Sequence, residues 1–333
     1  MEKMEKNKNR NVIFDIARAL CVIWIVAFWH IGDYIEYKRG SLEFAIGVDI
    51  TTAVLACFTF MSGFFLRKYE FSGKSSIFYF YKKRICRFYL LLFLSATSLY
   101  VGGLIVHQHL YSLEQYLSVI TGTSCISSPP PPTLWYFGMI ILFYIVTPII
   151  KYKSRLRYNL FCALLIFGVF YFVNTYLNCQ FDERYLQYYP FYILGLFFPQ
   201  QKECYLQNSI IGIIGGVVFA ILTFCCNANI LPFIWIKSAA LILFIILISK
   251  LISNCRMASL FSKISYASMI AYLFHRHFFL LGVFLLNYGS SVTLREATLP
   301  IWIAYLLVCV IFVTSYYFQR LYDSFCKKVL LRV

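Results

Sequence analysis

FDIARALCVIWIVAFWH, residues 14–30, is an apolar run long enough to cross a bilayer, yet Arg18 lies inside it and His30 closes it. A charged group in hydrocarbon is costly, and by default it marks a functional position. The run is too long for the core of a cleavable signal peptide, and no small-residue cleavage site follows His30, so it is expected to stay as an anchor.

Outward from this stretch the chain keeps the same character. Of 333 residues, 61% are hydrophobic and 13% charged, about half the charge of a soluble domain. Mean hydropathy is +0.72. Ten apolar runs are predicted to span, at about 12–31, 45–66, 88–106, 134–150, 158–175, 186–199, 209–226, 231–249, 264–286 and 298–319. The sixth is the shortest. The fold expected is all-α, a polytopic membrane protein of about ten transmembrane helices in one domain over 1–333. A β-barrel would instead alternate apolar and polar residues.

The net charge of +16 would suggest nucleic acid on a soluble protein. Here the positions of the charges argue for topology and against a nucleic-acid partner. Of 30 Lys and Arg, 23 fall in one set of loops and four in the alternating set; only Arg18, Lys237 and Arg276 lie inside spans. That asymmetry predicts both termini on the cytoplasmic side. The twelve cysteines are scattered with no CxxC pair, which favours small buried residues over a metal site. SSPPPPT, 127–133, reads as an exposed turn, because proline does not continue a helix.

Few ionisable residues fall within the spans: Asp15, Arg18, His30, Asp49, Lys237, His275, Arg276 and His277. Asp15 and Arg18, three apart, share a helix face and pair there. His275, Arg276 and His277 are consecutive, so at least one meets a neighbouring helix or a cavity. Arg84 and Arg87 are three apart in KKRICRFY, 82–89. They serve either as a positive-inside anchor or as a fork for phosphate oxygens.

Together these segments resemble the acyltransferase-3 family of integral membrane O-acyltransferases. Its first helix typically carries Asp, two residues, Arg, then ten residues and His, matched here by Asp15, Arg18 and His30. FTFMSGFFL (58–66) is similar to its second-helix SG segment, and Arg84 with Arg87 to its Arg-x-x-Arg motif. TLWYFGMIILFYIVTPII (133–150) resembles its tryptophan-bearing fourth helix, and ISYASMIAYLFH (264–275) its late Ser…Tyr-Leu-x-His segment. The resemblance implies transfer of an acyl group, usually acetyl, from cytoplasmic acetyl-CoA to a hydroxyl of a glycan or glycolipid. It implies a multi-pass protein in the bilayer of a bacterial inner or plasma membrane.

In family terms His30 is catalytic. Arg18, Arg84 and Arg87 serve the acyl donor; Trp135, Tyr272, His275 and Arg276 are expected at the substrate, and no metal is expected. Asp49 lies at a depth where it could orient the imidazole of His30. As general base, His30 would take a proton from the acceptor hydroxyl; a transient acyl-histidine is the other route. A transporter or flippase of glycolipid intermediates is the alternative, but no related halves are evident. A glycan polymerase would carry a large basic external loop, whereas 103–133 contains no Lys or Arg.

One spacing departs from the family. Eleven residues separate Arg18 from His30, not ten. On a straight helix the family spacing leaves the two within about 20° of one face, and the spacing here leaves them about 120° apart. Either a π-bulge between Ala19 and Trp29 absorbs the extra residue, or Arg18 faces elsewhere.

Overall fold

The computed structural model describes residues 11–35, 41–105, 112–124, 133–152, 155–176, 182–225, 230–287 and 298–329. The proline run of 127–133 lies outside them, apart from Thr133. The regular structure among the described residues is all helical, with no strand.

Helix α1 (Val12–Ile23) starts at Asn11, whose side chain accepts from the Phe14 amide. It runs into a π-helical segment, Trp24–Trp29, and ends in a 3₁₀ turn, His30–Asp33. Ser41 caps α2 (Leu42–Phe64). Helix α3 (Lys74–Tyr81) passes through a second π-helical segment, Lys82–Cys86, into α4 (Arg87–Ile105). Then follow α5 (Leu113–Thr121), α6 (Leu134–Ile150), α7 (Leu156–Tyr176) and α8 (Arg184–Leu196). The last four are α9 (Ser209–Cys225), α10 (Leu231–Ser253), α11 (Ala258–Leu286) and α12 (Ile301–Val329).

Among the described residues, seven helical stretches are long and apolar enough to cross a membrane: α1 with its extension, α2, α3 with α4, α7, α10, α11 and α12. Two more, α6 and α9, are apolar but shorter. The expected sixth span is α8, of only 13 residues; at 1.5 Å per residue it falls short of a bilayer core. The count of ten is thus reached in helices but not in full-length spans. The segment 103–133, expected as an external loop, contains α5, which folds back along α4. Tyr116 stacks on Tyr100 at 4.7 Å and its hydroxyl lies 3.0 Å from that of Thr97. Further along, Tyr89 donates to the Ile120 carbonyl. A capping box at Ser112 and Gln115 sets its start.

Helix α1 lies in the middle, packed on α10 and α11; α2 packs on α8 and α10, and α11 on α12. The outward face of α7 is apolar and exposed at Leu160, Phe161, Leu164 and Leu165, as a lipid-facing surface must be. The basic loops gather at one end of the bundle. There Glu203 accepts from both Asn11 (2.7 Å) and Arg67 (2.6 Å), and Lys151 reaches the carbonyls ending α2.

The SG segment is explained by packing. A Cβ on Gly63 would sit 2.1 Å from the Tyr192 carbonyl oxygen, and one on Gly195 2.1 Å from that of Phe60. α2 and α8 therefore cross backbone to backbone, as small residues allow in membranes. Gly63→Ala is expected to lower stability by about 1–3 kcal/mol through overpacking, read as a lower thermal midpoint in detergent. Gly168→Ala on α7, with open space at its Cβ, serves as the control.

Candidate active site

The π-helical segment Trp24–Trp29 lies where the spacing required a widened turn. One extra residue in a turn rotates the remainder of the helix by about 100°. That returns His30 to within about 20° of the Arg18 face. Trp24 fixes the segment from the side, its indole N–H donating to Thr51 Oγ1 of α2 at 2.9 Å.

His30 is buried and meets His275 of α11. His30 Nδ1 and His275 Nε2 are 2.7 Å apart, and the rings are nearly parallel with centroids 4.7 Å apart. His275 Nδ1 lies 2.8 Å from the Tyr272 carbonyl and 3.2 Å from that of Ala271. Carbonyl oxygens only accept, so Nδ1 of His275 carries its proton and, with both rings neutral, its Nε2 is an acceptor. His30 must then donate from Nδ1. Its Nε2 is left with a free lone pair, the state a general base or nucleophile needs.

The three consecutive polar residues of α11 each find a different neighbour. His275 faces α1. His277 Nε2 approaches Ser98 Oγ at 2.7 Å and the Ser95 carbonyl at 3.2 Å on α4. Arg276 donates to Thr133 Oγ1 (2.6 Å), Asp33 Oδ2 (2.9 Å) and Tyr34 Oη (3.5 Å). It thereby ties α11 to the turn after His30 and to the start of α6. Thr133 holds φ +79°, uncommon for a residue with a Cβ.

From the basic end a cavity of about 480 Å³ enters the bundle. Arg18, Lys83, Arg84 and Arg87 line it against two carboxylates, Asp15 and Asp323. Arg18 Nη1 is 4.0 Å from Asp15 Oδ1, and Arg87 is paired with Asp323. Asp323 also accepts from Tyr266 (2.7 Å) and Gln319 (2.8 Å). The Nε atoms of Arg84 and Arg87 are buried with no partner. Unsatisfied buried donors beside a net positive lining suit an anionic ligand. Further in, the lining turns apolar and aromatic at Phe58, Tyr136 and Tyr272. The Tyr272 ring stands edge-on to His275, at 6.2 Å. A charged mouth thus leads through an aromatic neck to the neighbour of the histidine pair.

Residues 11–320 match the family model described as the acyltransferase domain of the acyltransferase-3 family. The chain belongs to the acyltransferase-3 family. No curated protein and no solved structure matches it. In this acyltransferase the late Ser…Tyr-Leu-x-His segment places Ser265 against Asp15 (3.4 Å) at one end and His275 against His30 at the other. Both motifs are thus two halves of one α1–α11 contact.

One expected site residue of this acyltransferase stands elsewhere. Asp49 does not orient His30. Its two oxygens accept from Lys237 Nζ, each at 2.7 Å, because two lone charges in hydrocarbon are better neutralised by each other. Trp135, expected at the substrate, is stacked by Tyr188 at 5.9 Å, and Arg184 Cζ, itself held by Asp182, lies 3.9 Å over its ring. Asp33, Thr133, Tyr266 and Asp323 escaped the sequence reading, since the cross-helix partners that place them lie 57 to 243 positions away. The only signal was the position of Asp33, one helical turn beyond His30. Among the described residues no three His, Cys, Asp or Glu side chains converge as metal ligands.

Breaking one half of the Asp49–Lys237 pair leaves a lone, largely enclosed charge within the spans. Lys237→Met is expected to destabilise the protein by about 3–5 kcal/mol, and Asp49→Asn with Lys237→Met to recover most of that. Thermal unfolding of both variants checks it.

Proposed function

We propose that this protein moves an acetyl group from cytoplasmic acetyl-CoA to a hydroxyl of a surface polysaccharide precursor or lipid-linked sugar, in the inner or plasma membrane of a bacterium. The observation that carries this is a cation-lined cavity at the basic end whose lining reaches Tyr272, the ring beside the His275 partner of a buried His30 with a free Nε2 lone pair. The positive-inside asymmetry supports a cytoplasmic mouth. Arg84 and Arg87, with Arg18 deeper in, would hold the donor phosphates. Only the thin, uncharged arm would then pass Tyr136 and Tyr272, so the anionic end stays out of hydrocarbon.

The acceptor oxygen attacks the thioester carbonyl while His30 Nε2 takes its proton. The imidazolium formed is stabilised because His30 Nδ1–H already points at His275 Nε2. The tetrahedral intermediate expels the thiolate, which recovers the proton from His30. His275 plays the orienting part, fixing the tautomer by its own bond to the Tyr272 carbonyl. Arg276 and Asp33 rim the opposite end, where an acceptor would approach.

Glycan from cells carrying wild type, His30→Ala or no copy separates the possibilities by mass spectrometry of the acetyl increment. Loss in both His30→Ala and the deletion is expected; acetylation unchanged in the deletion would overturn the function. His275→Ala is expected to lower kcat by about 10²- to 10⁴-fold, the usual range for disabling general-base chemistry, with the donor KM little changed.

Donor binding is tested separately. Arg84→Ala with Arg87→Ala is expected to weaken acetyl-CoA binding by roughly tenfold or more in isothermal titration, the effect of losing charge-assisted contacts. Undiminished affinity would leave the two arginines as topology anchors.

A further inference from the structure

A second cavity, of about 780 Å³, opens at the same basic end and shares no lining residue with the first. It lies between the chain leaving α2, the end of α6 with the start of α7, and the end of α8. Three cations border it, Arg67, Lys151 and Arg155, against one carboxylate, Glu70.

The cations are held in different ways. Arg67 is committed: it pairs with Glu203 at 2.6 Å and lies 3.5 Å over the Phe64 ring. Lys151 donates to the Leu66 carbonyl (3.2 Å) and the Arg67 carbonyl (2.6 Å), and an ammonium has a third N–H to offer. Burial pushes its pKa down to about 8, opposed by the Glu70 carboxylate. Arg155 is exposed. Beneath them Asn159 is buried, 6% exposed, and its Oδ1 has no hydrogen-bond partner. A buried amide oxygen of this kind calls for a donor from outside the chain. Asn159 sits in the first turn of α7, whose outward face carries Leu156, Leu160 and Leu164 at four-residue intervals, all exposed.

We propose that this cavity binds an anionic phospholipid with a hydroxyl-bearing headgroup. The phosphate sits between Lys151 and Arg155, a headgroup hydroxyl donates to Asn159 Oδ1, and the acyl chains run along the Leu156–Leu160–Leu164 face. A free phosphate meets the charges but leaves the leucine face without a partner. The site stands apart from acyl transfer, so it does not rest on the function proposed above.

The test uses the full chain in neutral detergent, wild type beside Arg155→Ala with Asn159→Leu. Each is titrated with phosphatidylglycerol, phosphatidylcholine or inorganic phosphate while the thermal midpoint is followed. Phosphatidylglycerol alone is expected to raise the wild-type midpoint, and the variant to need about tenfold more of it, for the lost charged contact and hydrogen bond. Identical phosphatidylglycerol titrations of both proteins would overturn the proposal. So would an equal shift with inorganic phosphate, which would make this a soluble-anion site. Should the variant fail to fold, native mass spectrometry of wild type decides: retention of phosphatidylglycerol over phosphatidylcholine is expected, and equal retention refutes it.

Discussion

The contact between His30 and His275, 2.7 Å apart and shielded from water, ties the far end of α1 to the middle of α11. In hydrocarbon an imidazole without a partner is costly, so each ring needs the other. Around that bond the remaining polar groups fall into place. Arg276, the next residue, reaches the turn after His30, and His277 reaches α4. Three successive side chains thus join α11 to three different parts of the bundle. Moving any one by a helical step would strand a charge or a ring nitrogen.

The two π-helical segments fall in the two motifs that frame the proposed chemistry, Trp24–Trp29 before His30 and Lys82–Cys86 before Arg87. A π-turn forgoes regular α-helical hydrogen bonding and persists where a side chain must be re-aimed. In α1 it offsets the extra residue between Arg18 and His30. The cavity between these motifs is graded, cationic at the mouth and aromatic at the neck. Its internal carboxylates, Asp15 and Asp323, already sit beside two of its arginines. They keep the arginines from facing one another uncompensated when no anion is bound.

Much of this was legible in the linear chain. Arg18, His30, Arg84 and Arg87 were found because charge within or beside an apolar run is rare enough to be informative. The widened turn was legible for a geometric reason, since helical phase comes from counting residues. Asp49 was misplaced because depth in the membrane says nothing about which helix faces it; its partner Lys237 lies 188 positions away. The shortness of α8 was legible too, as the shortest of the ten apolar runs, but the return of α5 along α4 was hidden. Hydropathy reports how apolar a segment is, not how far it travels across the bilayer.

By itself the sequence determined that this is a helical membrane protein, which end of the bundle is basic, and which few residues carry charge into the spans. Those properties are local: burial of a backbone in lipid demands helices, and the distribution of Lys and Arg is a count. Tertiary structure alone decided who partners whom. It selected His275 over Asp49 for His30, set Asp323 against Arg87, and crossed α2 with α8 at Gly63 and Gly195. The reason is that a buried polar group or a glycine states a need, for a hydrogen bond or a close approach. Which distant residue meets that need depends on the packing of the whole bundle.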